Sequence, residues 1–311
     1  MSAGAALAEA ADKGNPAPEV PSGSGRRTWT PYILLLPGAV WLGAFFIVPM
    51  IFLLAQSIQT GTFEQGYEQT FRFANYTDAL SEYWPQFVRS FVYAGIATLL
   101  CLLIAYPLAY CIAFKSGRWK GALLVLVIAP FFTSFLIRTL AWQTLLADNS
   151  WITKTLNWLH VTDVTRFLGL TEGDRLLNTP LSVITGLTYN FLPFMVLPIY
   201  AALDRMDQRL VEAAQDLYSS PWKSFRKVTW PLSLPGVVAG TLLTFIPATG
   251  DYINAQLLGT PAYRMIGNVI DSQFFKVLDY PTAAALSFTL MATILVLVGL
   301  YVRRAGTEEL I

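Results

Sequence analysis

Residues 212–236 read EAAQDLYSSPWKSFRKVTWPLSLPG and separate two long apolar segments at about 180–203 and 235–258. The stretch is rich in charged residues, serine and proline, whereas the segments beside it are apolar enough to lie in a membrane. A short insert of this kind between two membrane spans suits either a protein partner or the membrane surface. It therefore favours a chain that crosses the membrane repeatedly over a soluble helical domain.

Six apolar segments follow residue 30, and each reaches the roughly 20 residues that a helix needs to cross hydrocarbon. They lie at about 31–58, 88–114, 121–146, 180–203, 235–258 and 283–303. Of the 311 residues, 54% are hydrophobic and 13% are charged, against about 25% charged residues in a soluble domain. We therefore predict an all-α membrane protein with six transmembrane helices.

The charge distribution predicts the orientation of these helices. Lys115, Arg118 and Lys120 lie together in the short loop between the second and third segments. Because short loops rich in Lys and Arg stay on the cytoplasmic side, both termini are predicted to be cytoplasmic. Residues 1–27 have no apolar run and are predicted to be a disordered cytoplasmic tail, which leaves 28–311 as the transmembrane domain.

The same topology places the insert, at about 204–234, in the cytoplasm. Gln208 to Leu217 suits one helix, and Ser220 with Pro221 suits the start of a second, which Pro231 is expected to end. Two short helices joined at an angle would either dock a protein partner or lie as an amphipathic hairpin on the membrane. The residue pattern by itself leaves both interpretations open.

Asp251 is the main candidate for contact with a transported solute. A carboxylate inside an apolar span is costly unless it faces water or a partner. Pro247 and Gly250 weaken the helix just before it, so a break there would turn Asp251 toward a cavity, beside the ring of Tyr252. A carboxylate next to an aromatic ring suits an alkylammonium ion. The alternative is that Asp251 pairs with Arg138 or caps a helix.

Other residues could line the same pathway or serve packing alone. The aromatic candidates are Trp142, Tyr189, Phe194 and Tyr252. Asp148 follows the third span and is either a carboxylate at the mouth of the pathway or an ordinary loop acid. Arg138 would repel a cationic solute, so we expect it to form a structural ion pair or a hydrogen bond to a backbone carbonyl within the bundle.

Several classes of function are disfavoured by what the sequence lacks. His160 is the single histidine and no Cys/His cluster accompanies it, so no metal site is expected. The chain has no phosphate-binding loop that ends in Gly-Lys-Ser/Thr, and no catalytic arrangement is evident.

The insert resembles the EAA loop of ABC-importer permeases. The matching residues are Glu212, Ala213, Ala214, Phe225, Pro231, Leu232, Pro235 and Gly236. Tyr218 stands where that motif has glycine, so a non-glycine residue is expected at a turn that favours positive φ. Further stretches resemble the first permease subunit of spermidine/putrescine importers, over about residues 31–304. They are IAYPLAY at 104–110, LIRTLAW at 136–142, YNFLPF at 189–194, GDY at 250–252, LLG at 257–259 and MIGN at 265–268.

This resemblance implies a type I ABC importer permease fold in the bacterial inner membrane. It implies that Glu212, Ala213, Ala214, Tyr218, Phe225 and Pro231 couple the chain to a cytoplasmic ATPase. The implied partners are a second permease subunit, two ATPase subunits, an extracytoplasmic solute-binding protein and membrane lipid, with no nucleic acid. The chain would not be an enzyme and would hold no cofactor, since ATP and Mg²⁺ would be used by the ATPase. The expected cargo is a polyamine such as putrescine or spermidine. The alternatives are a related ABC importer permease for another small solute and an ion-coupled secondary carrier.

Overall fold

The computed structural model describes residues 30–167, 169–171, 173–218 and 220–305. The predicted tail, residues 1–27, lies outside these ranges. The chain divides into two units, Met1–Phe52 and Leu53–Ile311. The first apolar segment is helical, as predicted. It consists of α1 (Thr30–Leu42), a π-helical turn (Gly43–Ile47) and α2 (Val48–Ser57).

A short hairpin and a long helix follow. Strands β1 (Gln59–Thr62) and β2 (Gly66–Gln69) pair antiparallel, with Gln59 opposite Gln69. Helix α3 (Ala74–Tyr110) has 37 residues and begins well before the second span, which the sequence predicts at about 88–114. Tyr83 takes non-helical backbone angles just before Pro85, so the chain kinks there and both parts remain helical.

The remaining elements alternate long apolar helices with short ones. After α3 come a π-helical turn (Cys111–Lys115), a 3₁₀ turn (Gly117–Trp119), α4 (Lys120–Ile128), a 3₁₀ turn (Ala129–Phe132), α5 (Phe135–Leu145), α6 (Trp151–Trp158), α7 (Val161–Phe167) and α8 (Pro180–Asp204). The chain continues with α9 (Gln208–Tyr218), α10 (Pro221–Ser224), a π-helical turn (Phe225–Thr229), α11 (Trp230–Thr249), α12 (Ile253–Leu258), a 3₁₀ turn (Pro261–Tyr263), α13 (Ile266–Ser272), a π-helical turn (Gln273–Val277) and α14 (Tyr280–Ala305).

Within the described residues, five helices are long and apolar enough to cross a membrane, or six if one bent pair counts as a span. The bent pair lies in the predicted third span, 121–146, which is therefore two helices and not one continuous helix. Residues 117–132 and 135–145 meet at 94°. Thr133 and Ser134 are extended between them, and the N–H of Thr133 donates to the carbonyl of Pro130.

The core of the second unit lies where α3, α8 and α11 pack together. Buried residues of one cluster come from all three helices, among them Ala105, Met195 and Val237. Gly236 permits the close approach of α11 to α8, since a Cβ there would lie 2.6 Å from the carbonyl oxygen of Pro198. The glycine that ends the EAA-like stretch is therefore required by helix packing.

Candidate functional site

The first helix of the insert is present and largely exposed. Asp207 caps α9, because its Oδ1 accepts a 2.9 Å hydrogen bond from the backbone N–H of Arg209. Glu212 and Ala213 are exposed, and Leu217 is 75% exposed. Glu212 forms no ion pair with any residue that the structure describes. The helix thus presents an exposed carboxylate beside small and apolar groups.

Tyr218, at which a turn was expected, is the last residue of helix α9. Helix α9 continues through Tyr218, and the next residue, Ser219, lies outside the described part of the chain. The side chains of Ala214 and Tyr218 are also not described. The backbone therefore places Ala214 within the helix and Tyr218 at its end.

The second helix of the insert does not stop at Pro231, contrary to the prediction. Residues Pro221–Thr249 form one helix of 29 residues that includes α10, the π-helical turn and α11. Pro231 lies in the first turn of α11, directly after the π-helical turn. Local π-helical geometry accommodates the missing N–H and the ring of a proline, so the helix continues. The insert and the fifth span are consequently joined without an intervening loop.

Phe225, predicted to contact an ATPase, packs mainly against other aromatic residues of this chain. Its ring lies 5.7 Å from that of Tyr106 and 6.3 Å from that of Tyr110, both on α3. It also stacks on Trp222 at 5.4 Å. Trp222 itself is 68% exposed, so it covers Phe225 on the outer side. Trp222 therefore presents exposed aromatic surface to a partner.

The predicted break at Gly250 is present, and it separates α11 from α12. Asp251 is 9% exposed. Its Oδ1 accepts a 2.8 Å hydrogen bond from the backbone N–H of Asn254. The carboxylate thus caps a helix of six residues, which was one of the alternatives left open by the sequence. Tyr252 is 41% exposed beside it.

Neighbouring segments support the broken backbone. The side-chain amide of Asn268 donates a 2.7 Å hydrogen bond to the carbonyl of Tyr252. Gly267 packs directly against the break between α11 and α12, because a Cβ there would lie 2.5 Å from the carbonyl oxygen of Gly250. The MIGN stretch therefore holds the unwound residues in place.

A buried polar network joins this break to the bent third span. Asn190 of α8 donates its side-chain N–H groups to Thr139 at 3.2 Å and to Asn254 at 3.0 Å. Thr139 of α5 lies 3.4 Å from the same oxygen of Asn254. All three residues are at most 1% exposed. They were not predicted as site residues. A side-chain amide inside an apolar span is nevertheless as unusual as the carboxylate of Asp251, and it could have indicated the site in the same way.

Arg138 has no ion-pair partner among the described residues, so the predicted structural ion pair is not present there. It is 8% exposed, and its Nε and Nη1 have no hydrogen-bond partner among those residues. The guanidinium lies 5.4 Å from the ring centre of Phe131 and 5.6 Å from that of Phe135. Aromatic faces stabilise a desolvated guanidinium, and they take the place of the expected carboxylate.

The other predicted pathway residues divide into three groups. Trp142 and Tyr189 contact each other edge to face, with ring centres 5.3 Å apart. Phe194 contacts Phe131 at 5.0 Å and is 37% exposed. Asp148 is exposed and accepts a 3.0 Å hydrogen bond from Arg175.

Comparisons with known proteins identify the family of this chain. Residues 102–305 match the family of binding-protein-dependent transport system inner membrane components. The chain is 36% identical over 264 residues to the spermidine/putrescine transport system permease protein PotB of Haemophilus influenzae, covering 85% of this chain and 90% of the relative. It is 32% identical over 285 residues to the inner membrane ABC transporter permease protein YdcU of Escherichia coli, covering 89% and 90%.

Two solved structures have a similar fold. One is a bacterial ABC transporter involved in the import of the acidic polysaccharide alginate, with a TM-score of 0.61, 20% identity and coverage of 90% of this chain and 96% of that one. The other is a bacterial alginate ABC transporter in complex with a periplasmic protein bound to an alginate pentasaccharide, with a TM-score of 0.65, 20% identity and coverage of 91% and 96%. Together with the family match and the apolar helices, these findings show that the chain is a multi-pass inner membrane protein and a member of the binding-protein-dependent transport system inner membrane component family.

Proposed function

We propose that this chain is one permease subunit of an ATP-driven importer whose cargo is a polyamine such as putrescine or spermidine. The observation that carries the proposal is the 36% identity over 85% of the chain to a relative named for spermidine and putrescine transport. The fold does not favour this cargo by itself, since the two similar structures belong to importers of an acidic polysaccharide.

In this proposal six spans cross the membrane, with the bent helix pair as the third, and both termini are cytoplasmic. Helix α9 and the first turns of the continuous helix would then face the cytoplasm. Glu212, Ala213 and Trp222 are exposed there and suit contact with a protein partner. The partner would be an ATPase subunit that uses ATP and Mg²⁺.

Asp251 would contact the cargo near the centre of the membrane. A carboxylate beside the exposed ring of Tyr252 offers an ion pair and a cation–π contact to an alkylammonium group. In the described structure the carboxylate is buried and caps α12. Cargo contact therefore requires a conformational change that opens the break. A partner that displaces α9 and α10, together called the docking segment, by using ATP would produce such a change.

The remaining partners follow from the same architecture. A second permease subunit would complete the pathway, a second ATPase would dock on it, and an extracytoplasmic binding protein would deliver the cargo. One of the two similar transporters is in complex with a periplasmic protein that holds an alginate pentasaccharide, which supports the last of these partners.

Reconstitution of the complex tests this proposal. The complex purified through a tag on this chain would be placed in liposomes with its binding protein, and uptake of labelled spermidine and putrescine would be measured. We expect uptake that requires ATP and stops when a non-hydrolysable analogue replaces it. Accumulation without ATP would instead identify a secondary carrier, and uptake of other solutes alone would reject the polyamine cargo.

A further inference from the structure

Near its first end, the continuous helix Pro221–Thr249 contacts α3 through four aromatic residues, which we call the aromatic joint. These residues are Tyr106, Tyr110, Phe225 and Trp230. Tyr106 contacts Phe225 edge to face at 5.7 Å and Trp230 at 5.2 Å. Tyr110 contacts Phe225 at 6.3 Å. Edge-to-face and tilted arrangements at these distances are favourable for aromatic rings. The joint thus connects two elements that are more than a hundred residues apart in sequence.

A buried hydrogen bond fixes the geometry of the joint. The hydroxyl of Tyr106 lies 2.7 Å from Oγ of Ser233, and Ser233 donates to the carbonyl of Trp230 at 2.9 Å. Because the single hydroxyl proton of Ser233 is used in that second bond, Tyr106 is the donor to Ser233. Tyr106 is 8% exposed and Ser233 is fully buried, so water does not replace this bond.

The position of the joint suggests its purpose. The helix Pro221–Thr249 has 29 residues, or about 43 Å at 1.5 Å per residue. One end carries Trp222, which is exposed beside α9, and the other end leads into the break at Asp251. Displacement of the exposed end would therefore be carried along the helix to the break. The joint lies close to the exposed end and ties α3 to the same movement.

We propose that the aromatic joint, with the Tyr106–Ser233 hydrogen bond at its centre, is a positioning element that makes α3 and the continuous helix move as one body. This inference rests on the proposed function, because the movement it transmits would come from a docked ATPase. Without the bond, the docking segment would still respond to ATP while α3 followed it less closely. ATP hydrolysis would then proceed with less cargo moved per ATP.

The chain offers a matched pair of variants to test this. Tyr106→Phe and Tyr110→Phe make the same chemical change within the joint. The hydroxyl of Tyr110 has no hydrogen-bond partner among the described residues, whereas that of Tyr106 binds Ser233. ATP hydrolysis, spermidine uptake and the amount of assembled complex would be measured for each in liposomes.

We expect Tyr106→Phe and Ser233→Ala to leave assembly and ATP hydrolysis unchanged and to lower uptake per ATP about threefold to tenfold, as for the loss of one buried hydrogen bond. The double variant should be no worse than Ser233→Ala alone, because Ser233→Ala already removes the Tyr106–Ser233 bond together with the bond to Trp230. Tyr110→Phe should resemble the original protein. An unchanged ratio, or a parallel loss of assembly, hydrolysis and uptake, would overturn the inference.

A second measurement does not depend on transport. Spin labels at Lys115→Cys and Lys223→Cys, both exposed positions, would be placed in a chain that also carries Cys111→Ser. They would report the distance between the π-helical turn that follows α3 and the docking segment. We expect a narrow distance distribution that broadens in Tyr106→Phe and not in Tyr110→Phe. Equal distance distributions in the labelled chain, in Tyr106→Phe and in Tyr110→Phe would overturn the inference about the joint, even if ATP-dependent uptake were confirmed. Absence of such uptake with the expected broadening would reject the proposed function and keep the joint.

Discussion

The two ends of the helix Pro221–Thr249 differ in how their functional groups are satisfied. At the first end, Trp222 is exposed and Glu212 on the adjoining α9 has no ion-pair partner among the described residues. At the other end, Asp251 is buried and accepts a backbone hydrogen bond within its own chain. An exposed and unpaired group is available to a partner immediately, whereas a buried cap becomes available only when the local structure changes.

The largest effect is expected from charge reversal at the exposed end. Glu212→Lys should abolish copurification of the ATPase and reduce uptake about a hundredfold. The lysine would repel the cationic group of the partner that we expect opposite Glu212, and two like charges in contact at a protein interface cost several kcal/mol. Pull-down through a tag on this chain would measure the association. Glu64→Lys is the matched control, since Glu64 is exposed in the turn between β1 and β2. Normal association of Glu212→Lys would show that this end does not dock the ATPase.

The next effect tests the buried end. Asp251→Asn removes the charge but keeps an oxygen that can cap α12, because asparagine caps helices as well as aspartate does. We expect intact assembly and an uptake about tenfold lower, equivalent to about 1.4 kcal/mol. Uptake rates at several spermidine concentrations would measure it. An unchanged rate would leave Asp251 with the capping function alone.

A smaller effect is expected on stability from the polar network. Asn254→Leu removes the acceptor used by Asn190 and leaves buried polar groups unpaired, at a cost of about 1–3 kcal/mol. Thermal melting of the purified chain would show this as a lower midpoint. Gln256→Leu changes an exposed residue of the same short helix and should have little effect. Similar shifts for the two variants would argue against a structural network.

The smallest effect is expected at Asp148. This residue and Arg175 form an exposed ion pair, with side chains 49% and 66% exposed. Such pairs contribute about 0–1 kcal/mol, so Asp148→Asn should leave the melting midpoint nearly unchanged and alter the uptake rate by less than about twofold. A loss as large as that of Asp251→Asn would place Asp148 on the cargo pathway and weaken the contrast between the two ends.

The sequence by itself determined the helical class, the apolar segments, the first helix of the insert and the break at Gly250. These features depend on residues close together in the chain, such as runs of apolar side chains, or Gly250 shortly after Pro247. Local patterns of this kind are sufficient because a helix forms its backbone hydrogen bonds within one segment.

Only the tertiary structure decided the bend of the third span, the continuation of the helix through Pro231, the inward packing of Phe225 and the aromatic surroundings of Arg138. Each depends on a neighbour distant in sequence or on a backbone adjustment that a local pattern does not specify. The Tyr106–Ser233 bond, for example, joins residues 127 positions apart. The same residue type can contact either a partner or its own chain, so its identity does not tell the two apart. The packing of helices that are distant in sequence decides which contact forms.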